Sequence, residues 1–299
     1  MDWAGFIATF HGSGPAQDTG ESGVVRAALP RALSRMTAFS LAVQKTEACP
    51  RVRSDHSTIL SMAHPDYNTL YQRACERKGG EQAVESLLPR VASRKKLAQL
   101  GSDRYLAEFT RKVFQSGFVW RVVDQKWKDF EEVFWDFDIK RLLMMPDDML
   151  DRKAANPAII RNHNKVKTIR DNAAMIADTE RRRGESFGAF VANWPAEDVI
   201  GLWLYLKKEG SRLGGNTGPF ALRTLGVDTF LLTADVEGFL RNHGIVDSGI
   251  TSQRALRAAQ DFFNDLRGQS GRSLSELSRI VSFGYGANRV GLASNGEQQ

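Results

Sequence analysis

Apolar residues recur at every third or fourth position along most of the chain, which is the period of an amphipathic α-helix. Beyond residue 67 this pattern predicts helices over residues 80–89, 138–150, 186–193, 197–208, 219–226, 235–242, 252–267 and 273–283. One further helix is marked by Leu106, Phe109, Val113 and Phe114, and another by an aromatic stripe of Trp127, Phe130, Phe134 and Phe137, which we interpret as core. Since no segment shows a convincing strand alternation, we predict an all-α fold.

The first sixty or so residues differ from the rest, because they are rich in glycine, serine and arginine and show little durable period. We predict a poorly ordered extension over residues 1–61, a helical domain over 62–285 and a flexible tail over 286–299. The arginines of the extension resemble a transit peptide in composition, but a signal-type apolar core is missing. We attach no function to the extension.

Composition and charge restrict the possible partners. No apolar run is long enough to cross a bilayer, so we expect no membrane partner. The net charge of +6 favours a polyanion. Four cations, Arg161, Lys165, Lys167 and Arg170, share one side of a segment with an opposite apolar stripe. That side is either a solvated helix face or a DNA contact.

Cysteine and histidine do not occur at the spacing of a zinc site. Cys49 and Cys75 are the only cysteines, and the five histidines are scattered. We therefore expect a metal-free protein in a reducing compartment that needs no cofactor.

A glycine-dense turn between two helices is the most informative motif. The helix that contains Trp203 ends at Lys207, Lys208 and Gly210, and the next helix begins at Gly218-Pro219. Gly214, Gly215 and Gly218 allow backbone conformations that other residues resist, and unpaired N–H groups at the next helix favour an anion. The turn is either a phosphate-binding hairpin or a structural helix–loop–helix.

Asp235 follows the apolar run Phe230 to Leu232 and precedes another helix. By itself such a residue is an N-cap or an Asp of the first helical turn.

Three segments in order give the chain a family resemblance: FTRKVFQSGFVW at 109–120, FEEVFWDFD at 130–138 and IIRNHNKVKTIRDN at 159–172. Together with the glycine turn, they resemble the 3-methyladenine DNA glycosylase I family of the helix-hairpin-helix DNA glycosylase superfamily. The resemblance runs from about Tyr67 through the hairpin. Because the Cys/His zinc site of the main branch is missing, the chain resembles a divergent, zinc-less branch.

The resemblance implies roles for several residues. Trp120 matches the base-stacking tryptophan, although a buried core tryptophan would be the default without the match. Tyr71 matches, with one residue of slippage, an aromatic residue of the same pocket, and core packing is the alternative. Gln115, Gly117 and Phe118 match the loop that enters the duplex, with Phe118 as the apolar wedge. The alternative is a helix end with an inward phenylalanine.

The implied mechanism departs from the main branch, which reads the base with a glutamate where this chain has Lys112. Glu108, one turn earlier, is a fallback that we expect to face a different side of the helix. Asp235 stands about where the superfamily places its catalytic carboxylate, so we predict that Asp235 is the catalytic residue. No lysine occupies the Schiff-base position of bifunctional relatives.

We therefore predict a monofunctional DNA glycosylase that removes alkylated purines, chiefly 3-methyladenine, from double-stranded DNA in base excision repair. Gly214 to Gly218 would contact the DNA backbone, and Trp120, Tyr71 and Asp235 should border one cleft. The protein should be a monomer in a bacterial cytoplasm, associated with the nucleoid. The alternative is a non-catalytic helix-hairpin-helix DNA-binding protein.

Overall fold

The computed structural model describes residues 64–247 and 249–286. The predicted extension over 1–61 and the tail beyond residue 286 lie outside the described residues. The described part is helical and contains no strand, which confirms the all-α prediction. No helix within it combines the length and the apolar character needed to cross a bilayer.

Fifteen α-helices and one 3₁₀ turn make up the described part. In chain order they are α1 Tyr67–Lys78, α2 Glu81–Leu87, α3 Arg94–Gln99, α4 Ser102–Gln115, α5 Trp120–Gln125, α6 Trp127–Val133, the 3₁₀ turn Trp135–Phe137, α7 Ile139–Leu143, α8 Asp147–Ala154, α9 His163–Arg183, α10 Phe187–Ala192, α11 Val199–Glu209, α12 Thr217–Leu225, α13 Ala234–Asn242, α14 Gln253–Ser270 and α15 Leu274–Gly284.

Two predicted elements differ from the structure. The helix expected over 138–150 is two helices, α7 and α8, because Pro146 lies between them and caps α8. The aromatic stripe leaves helical geometry after α6, since Trp135, Asp136 and Phe137 have positive φ angles of 56°, 53° and 64°. The stripe is nevertheless core, as predicted, because Phe130, Phe134 and Phe137 are fully buried.

Helices α4 and α9 organise the half of the domain that contains Trp120. Helix α4 packs against both α9 and α12, and α9 also packs against α7, α8 and α10. In the other half, α15 packs against α1, α13 and α14. The apolar stripe predicted on α9 is buried, with Val166, Ile169, Ala173 and Ile176 all inaccessible to solvent. Helix α9 therefore supports the elements that carry the candidate site.

Candidate functional site

The glycine turn forms a tight hairpin between α11 and α12. The amide of Gly218 donates to the Leu213 carbonyl at 3.1 Å, and the amide of Thr217 donates to the Gly214 carbonyl at 3.4 Å. A Cβ atom on Gly218 would lie 2.6 Å from the Leu213 carbonyl oxygen. Only glycine therefore fits at this position without a shift of the backbone.

The tip of the hairpin offers backbone donors to solvent. Within the described chain, the amides of Gly214, Gly215 and Asn216 have no hydrogen-bond acceptor. Gly215 has a positive φ of 61° and Arg212 one of 59°, and Arg212 is exposed. Unpaired amides next to a helix N-terminus, with exposed cations nearby, form a favourable environment for a phosphate oxygen.

Asn172 of α9, whose side chain is fully buried, holds this hairpin through two hydrogen bonds. The Asn172 amide group donates to the Ser211 carbonyl at 3.1 Å and accepts from the Ser211 amide at 2.7 Å. Both polar groups of the Asn172 side chain are thereby satisfied in a dry environment. Asn172 is the last residue of the third motif segment, but its partner is 39 positions away in sequence, so no local pattern predicts this contact.

The loop from Ser116 to Val119 joins α4 to α5 and is held by Lys165 of α9. The Lys165 ammonium donates to the carbonyls of Phe114 and Ser116 and lies 4.5 Å from the centre of the Phe118 ring. Burial lowers the pKa of Lys165, and the charge of Arg212 on the hairpin lowers it further.

The position of Lys165 corrects the interpretation of the basic segment as one shared face. Lys165 is only 6% exposed, because its side chain reaches inward to the loop carbonyls. Arg170 is also engaged, through the Met145 carbonyl and an ion pair with Asp147. Arg161 and Lys167 remain exposed. The four cations therefore do not form one continuous solvated patch.

Loop and hairpin meet around a pocket of about 160 Å³. It is lined by Lys112, Gln115, Ser116, Trp120, Asn216, Thr217 and Phe220. Trp120 is 52% exposed and meets the Phe220 ring edge-on, with 6.1 Å between ring centres. It is therefore not a core tryptophan. Phe118 is 38% exposed, so it is not the buried, inward phenylalanine of the alternative interpretation.

Lys112, one of the lining residues, is ion-paired with a buried carboxylate of its own helix. The Lys112 ammonium lies 3.2 Å from Oε1 of Glu108, donates to Oε1 of Gln115 at 3.0 Å and stands 5.3 Å from the centre of the Trp120 ring. Burial raises the pKa of the Glu108 carboxyl, and the nearby Lys112 charge opposes that rise. Because Glu108 and Lys112 are four residues apart, they share one helix face. The expectation that Glu108 faces a different side was wrong.

Tyr71 does not line this pocket. Its ring stacks on Tyr67 at 5.6 Å between centres, and its hydroxyl donates to Glu85 at 2.5 Å. The guanidinium of Arg272 pairs with the same carboxylate and lies 5.0 Å from the Tyr71 ring centre. Burial, together with the Glu85 carboxylate, raises the pKa of Tyr71. Tyr71 thus belongs to a polar cluster between α1, α2 and the start of α15.

Asp235 lies in the first turn of α13, where Thr233 rather than Asp235 caps the helix by accepting from the Val236 amide. The Ser282 hydroxyl donates to Oδ2 of Asp235 at 3.3 Å. Asp235 is not among the pocket-lining residues. Its segment is tied to the pocket indirectly, because Asn216 donates to the Leu232 carbonyl at 3.1 Å. Of the three residues expected to border one cleft, only Trp120 lines this pocket.

A helical domain that sets unpaired backbone amides beside an aromatic-walled pocket is suited to hold a phosphate chain next to a planar group. A comparison with known protein families agrees with this description of a nucleic-acid-binding helical domain. Residues 100–203 match the model of the methyladenine glycosylase family. Over these residues, about a third of the chain, the sequence is similar to that family. The matched region includes Trp120, Lys165 and Asn172, and it ends within α11, before the hairpin.

Several solved structures show limited similarity. A 3-methyladenine DNA glycosylase I from Staphylococcus aureus is 19% identical over 44% of this chain and 83% of that chain, with a TM-score of 0.38. Another 3-methyladenine DNA glycosylase I is 24% identical over 52% and 87%, with a TM-score of 0.34. A tyrosine-to-phenylalanine variant in complex with 3-methyladenine is 20% identical over 50% and 88%, with a TM-score of 0.37. No curated protein matches the chain.

Proposed function

We propose that this chain is a monofunctional DNA glycosylase that hydrolyses the N-glycosidic bond of alkylated purines, chiefly 3-methyladenine, in double-stranded DNA. One observation carries the proposal: the exposed Trp120 indole and the hairpin border the same pocket. A flipped purine requires a flat face to stack on and a nearby hold on the DNA backbone, and this arrangement supplies both. The family match over residues 100–203 supports the same function.

Binding of the duplex falls to the hairpin and the loop. The amides at Gly214, Gly215 and the turn closed by Gly218 would receive backbone phosphates. Gln115, Gly117 and Phe118 would enter the duplex, with the Phe118 ring filling the space that the extruded base leaves. The Lys165 ammonium supports this, because it fixes the Ser116 carbonyl and lies against the Phe118 ring.

The reaction requires stabilisation of positive charge on the deoxyribose and activation of a water molecule. We assign both tasks to Asp235. Its carboxylate is not used as a helix cap, since Thr233 has that role, and it is half-buried next to the Ser282 hydroxyl. Because 3-methyladenine is a good leaving group, extraction and stacking of the base would be the larger part of the work.

Tyr71 would contribute to base binding only if its hydroxyl left Glu85. We further propose that the protein acts as a monomer in a bacterial cytoplasm, on DNA of the nucleoid. These assignments are carried over from the family resemblance. The proposal requires no metal or other cofactor.

Release of free base from methylated duplex DNA tests the function. The unaltered chain should release 3-methyladenine and leave abasic sites without strand breaks, while Asp235→Asn should lower the single-turnover rate by about a hundredfold or more. DNA binding and its salt dependence should persist in Asp235→Asn. Glu237→Gln, on the same helix, is the matched control, because within the described residues Glu237 forms an ion pair with Arg241 alone, at 2.7 Å.

The second candidate function is a non-catalytic helix-hairpin-helix DNA-binding protein. It is favoured by Lys112, which stands where the main branch of the family has its recognition glutamate. A binding protein would release no base in either form and would retain salt-sensitive DNA binding. Absence of release from the unaltered chain, with DNA binding retained, would therefore replace the first function with the second.

A further inference from the structure

The Lys112 ammonium lines the pocket between two groups that stabilise a positive charge. It lies near the Trp120 ring and pairs with Glu108, a carboxylate that is only 8% exposed. An aromatic face and a buried carboxylate are the two features that would hold a cationic purine. In this chain both are already engaged by a side chain of the protein.

A cationic base that stacked on Trp120 would meet the charge of Lys112 at short range. The Lys112 side chain is only 11% exposed, so water would screen this repulsion only in part. To bind well, a cationic base would have to displace the ammonium from its carboxylate and its ring. A neutral base would meet no such opposition.

Lys112 also has a donor left for a ligand. A lysine ammonium carries three N–H groups. The Gln115 side-chain carbonyl accepts one of them at 3.0 Å, the Glu108 carboxylate lies within ion-pair distance at 3.2 Å, and the described chain provides no further acceptor. Since Lys112 lines the pocket, the remaining N–H is available to a lone pair on the edge of a bound base.

We propose that Lys112 is a specificity-determining residue that extends the substrate range to neutral purines with a hydrogen-bond acceptor on the exposed edge, such as a carbonyl oxygen, and weakens the preference for cationic purines. This inference rests on the proposed function for the location of the base at Trp120. It adds a substrate class, neutral altered purines, to the cationic ones. Lys112 would select the base through charge and one hydrogen bond.

Binding of free bases to the full chain tests the inference without any cleavage step. The probes are hypoxanthine, which is neutral and carries a carbonyl acceptor, and an adenine methylated on two ring nitrogens, which is a permanent cation. Titration calorimetry or ligand-observed NMR gives the ratio of the two dissociation constants. In Lys112→Gln this ratio should shift by about tenfold or more toward the cation, a factor that corresponds to one hydrogen bond or charge contact.

Three further variants make the result decisive. Lys112→Arg keeps the charge and the donors, so its ratio should stay near that of the unaltered chain. Adding Glu108→Gln to Lys112→Gln should remove the gained affinity for the cation, since the carboxylate is then absent. Lys95→Gln is the matched control, because Lys95 is exposed on α3, which packs on α10, the helix that follows the far end of α9.

A ratio that changes less than twofold in Lys112→Gln would overturn the inference, as would equal weakening of both probes. The proposed function fails separately. If methylated DNA yields no free base but the ratio shifts as expected, the charge selection by Lys112 stands and the enzymatic assignment falls. If base is released but the ratio is unchanged, the enzyme stands and Lys112 is only a structural partner of Glu108.

Discussion

Trp120 decides between two interpretations that the sequence left open, a core indole and a stacking surface. Its exposure of 52% and its place beside Phe220 of α12 leave the ring accessible from the pocket. An accessible indole that lines a pocket offers a flat apolar face on which a planar group can stack. The proposed catalytic function depends on this side chain more than on any other.

Trp120→Ala should lower the single-turnover rate of base release by about tenfold to a hundredfold, because stacking is worth roughly 1–3 kcal/mol per base. Binding to undamaged duplex should change little, since hairpin contacts remain. The measurement is base release from methylated DNA alongside a binding titration. Met144→Ala, at an exposed apolar residue outside the loop and the hairpin, is the control. Unchanged turnover in Trp120→Ala would show that the base binds elsewhere.

The candidate site could be predicted at the level of single residues only where a motif marked them. Trp120, Gln115 and the glycines of the hairpin belong to such motifs. Lys165 and Asn172 act through contacts with residues 39 to 51 positions away, which no local pattern reveals. Glu108 differs, because its spacing of four residues from Lys112 was a usable signal that it shares the face of Lys112.

At the scale of elements, helix periodicity predicted most of α10 to α15 to within about two or three residues, because that pattern is local. It failed where another constraint took over. Pro146 separates α7 from α8. The 3₁₀ turn at Trp135–Phe137 keeps positive φ angles while Phe137 packs fully buried. Sequence spacing does not report such a turn, since tertiary packing determines it.

The hairpin offers a test by matched glycine substitutions. Gly218→Ala places a Cβ atom 2.6 Å from the Leu213 carbonyl oxygen, so the hairpin should distort and both duplex affinity and the free energy of unfolding should fall. Gly268→Ala, on α14, meets nothing within 4 Å and should stabilise the fold by about 0.5–1 kcal/mol. Chemical denaturation and a DNA titration compare the two. Equal effects on both variants would contradict the hairpin geometry.

At the scale of the whole molecule, the charge balance of +6 makes duplex binding depend on ionic strength. Affinity for undamaged duplex should fall steeply between about 50 and 200 mM salt. Lys208→Gln, next to the hairpin and 82% exposed, should reduce the slope of log affinity against log salt by about one. Lys95→Gln should leave the slope unchanged. A flat salt dependence of the unaltered chain would argue against any DNA partner.

The fold class and the order of helices followed from the sequence, but the arrangement of the site around α9 did not. Periodicity gave α9 one buried stripe and one polar side. The structure turns two of its polar residues inward, Lys165 toward the loop and Asn172 toward the hairpin. Such burial of polar side chains opposes the simple pattern. It is tolerated because Lys165 donates to two carbonyls and both polar groups of Asn172 are hydrogen-bonded.

These two anchors are seven residues, or about 10 Å, apart on one continuous helix. The distance between the loop held by Lys165 and the hairpin held by Asn172 is therefore set by a rigid helix. A lesion would then be recognised through the deformability of the duplex, because only a nucleotide that unstacks at low energetic cost can reach the pocket. The rate of the search along DNA and the choice of lesion would therefore depend on how readily each base-pair step unstacks.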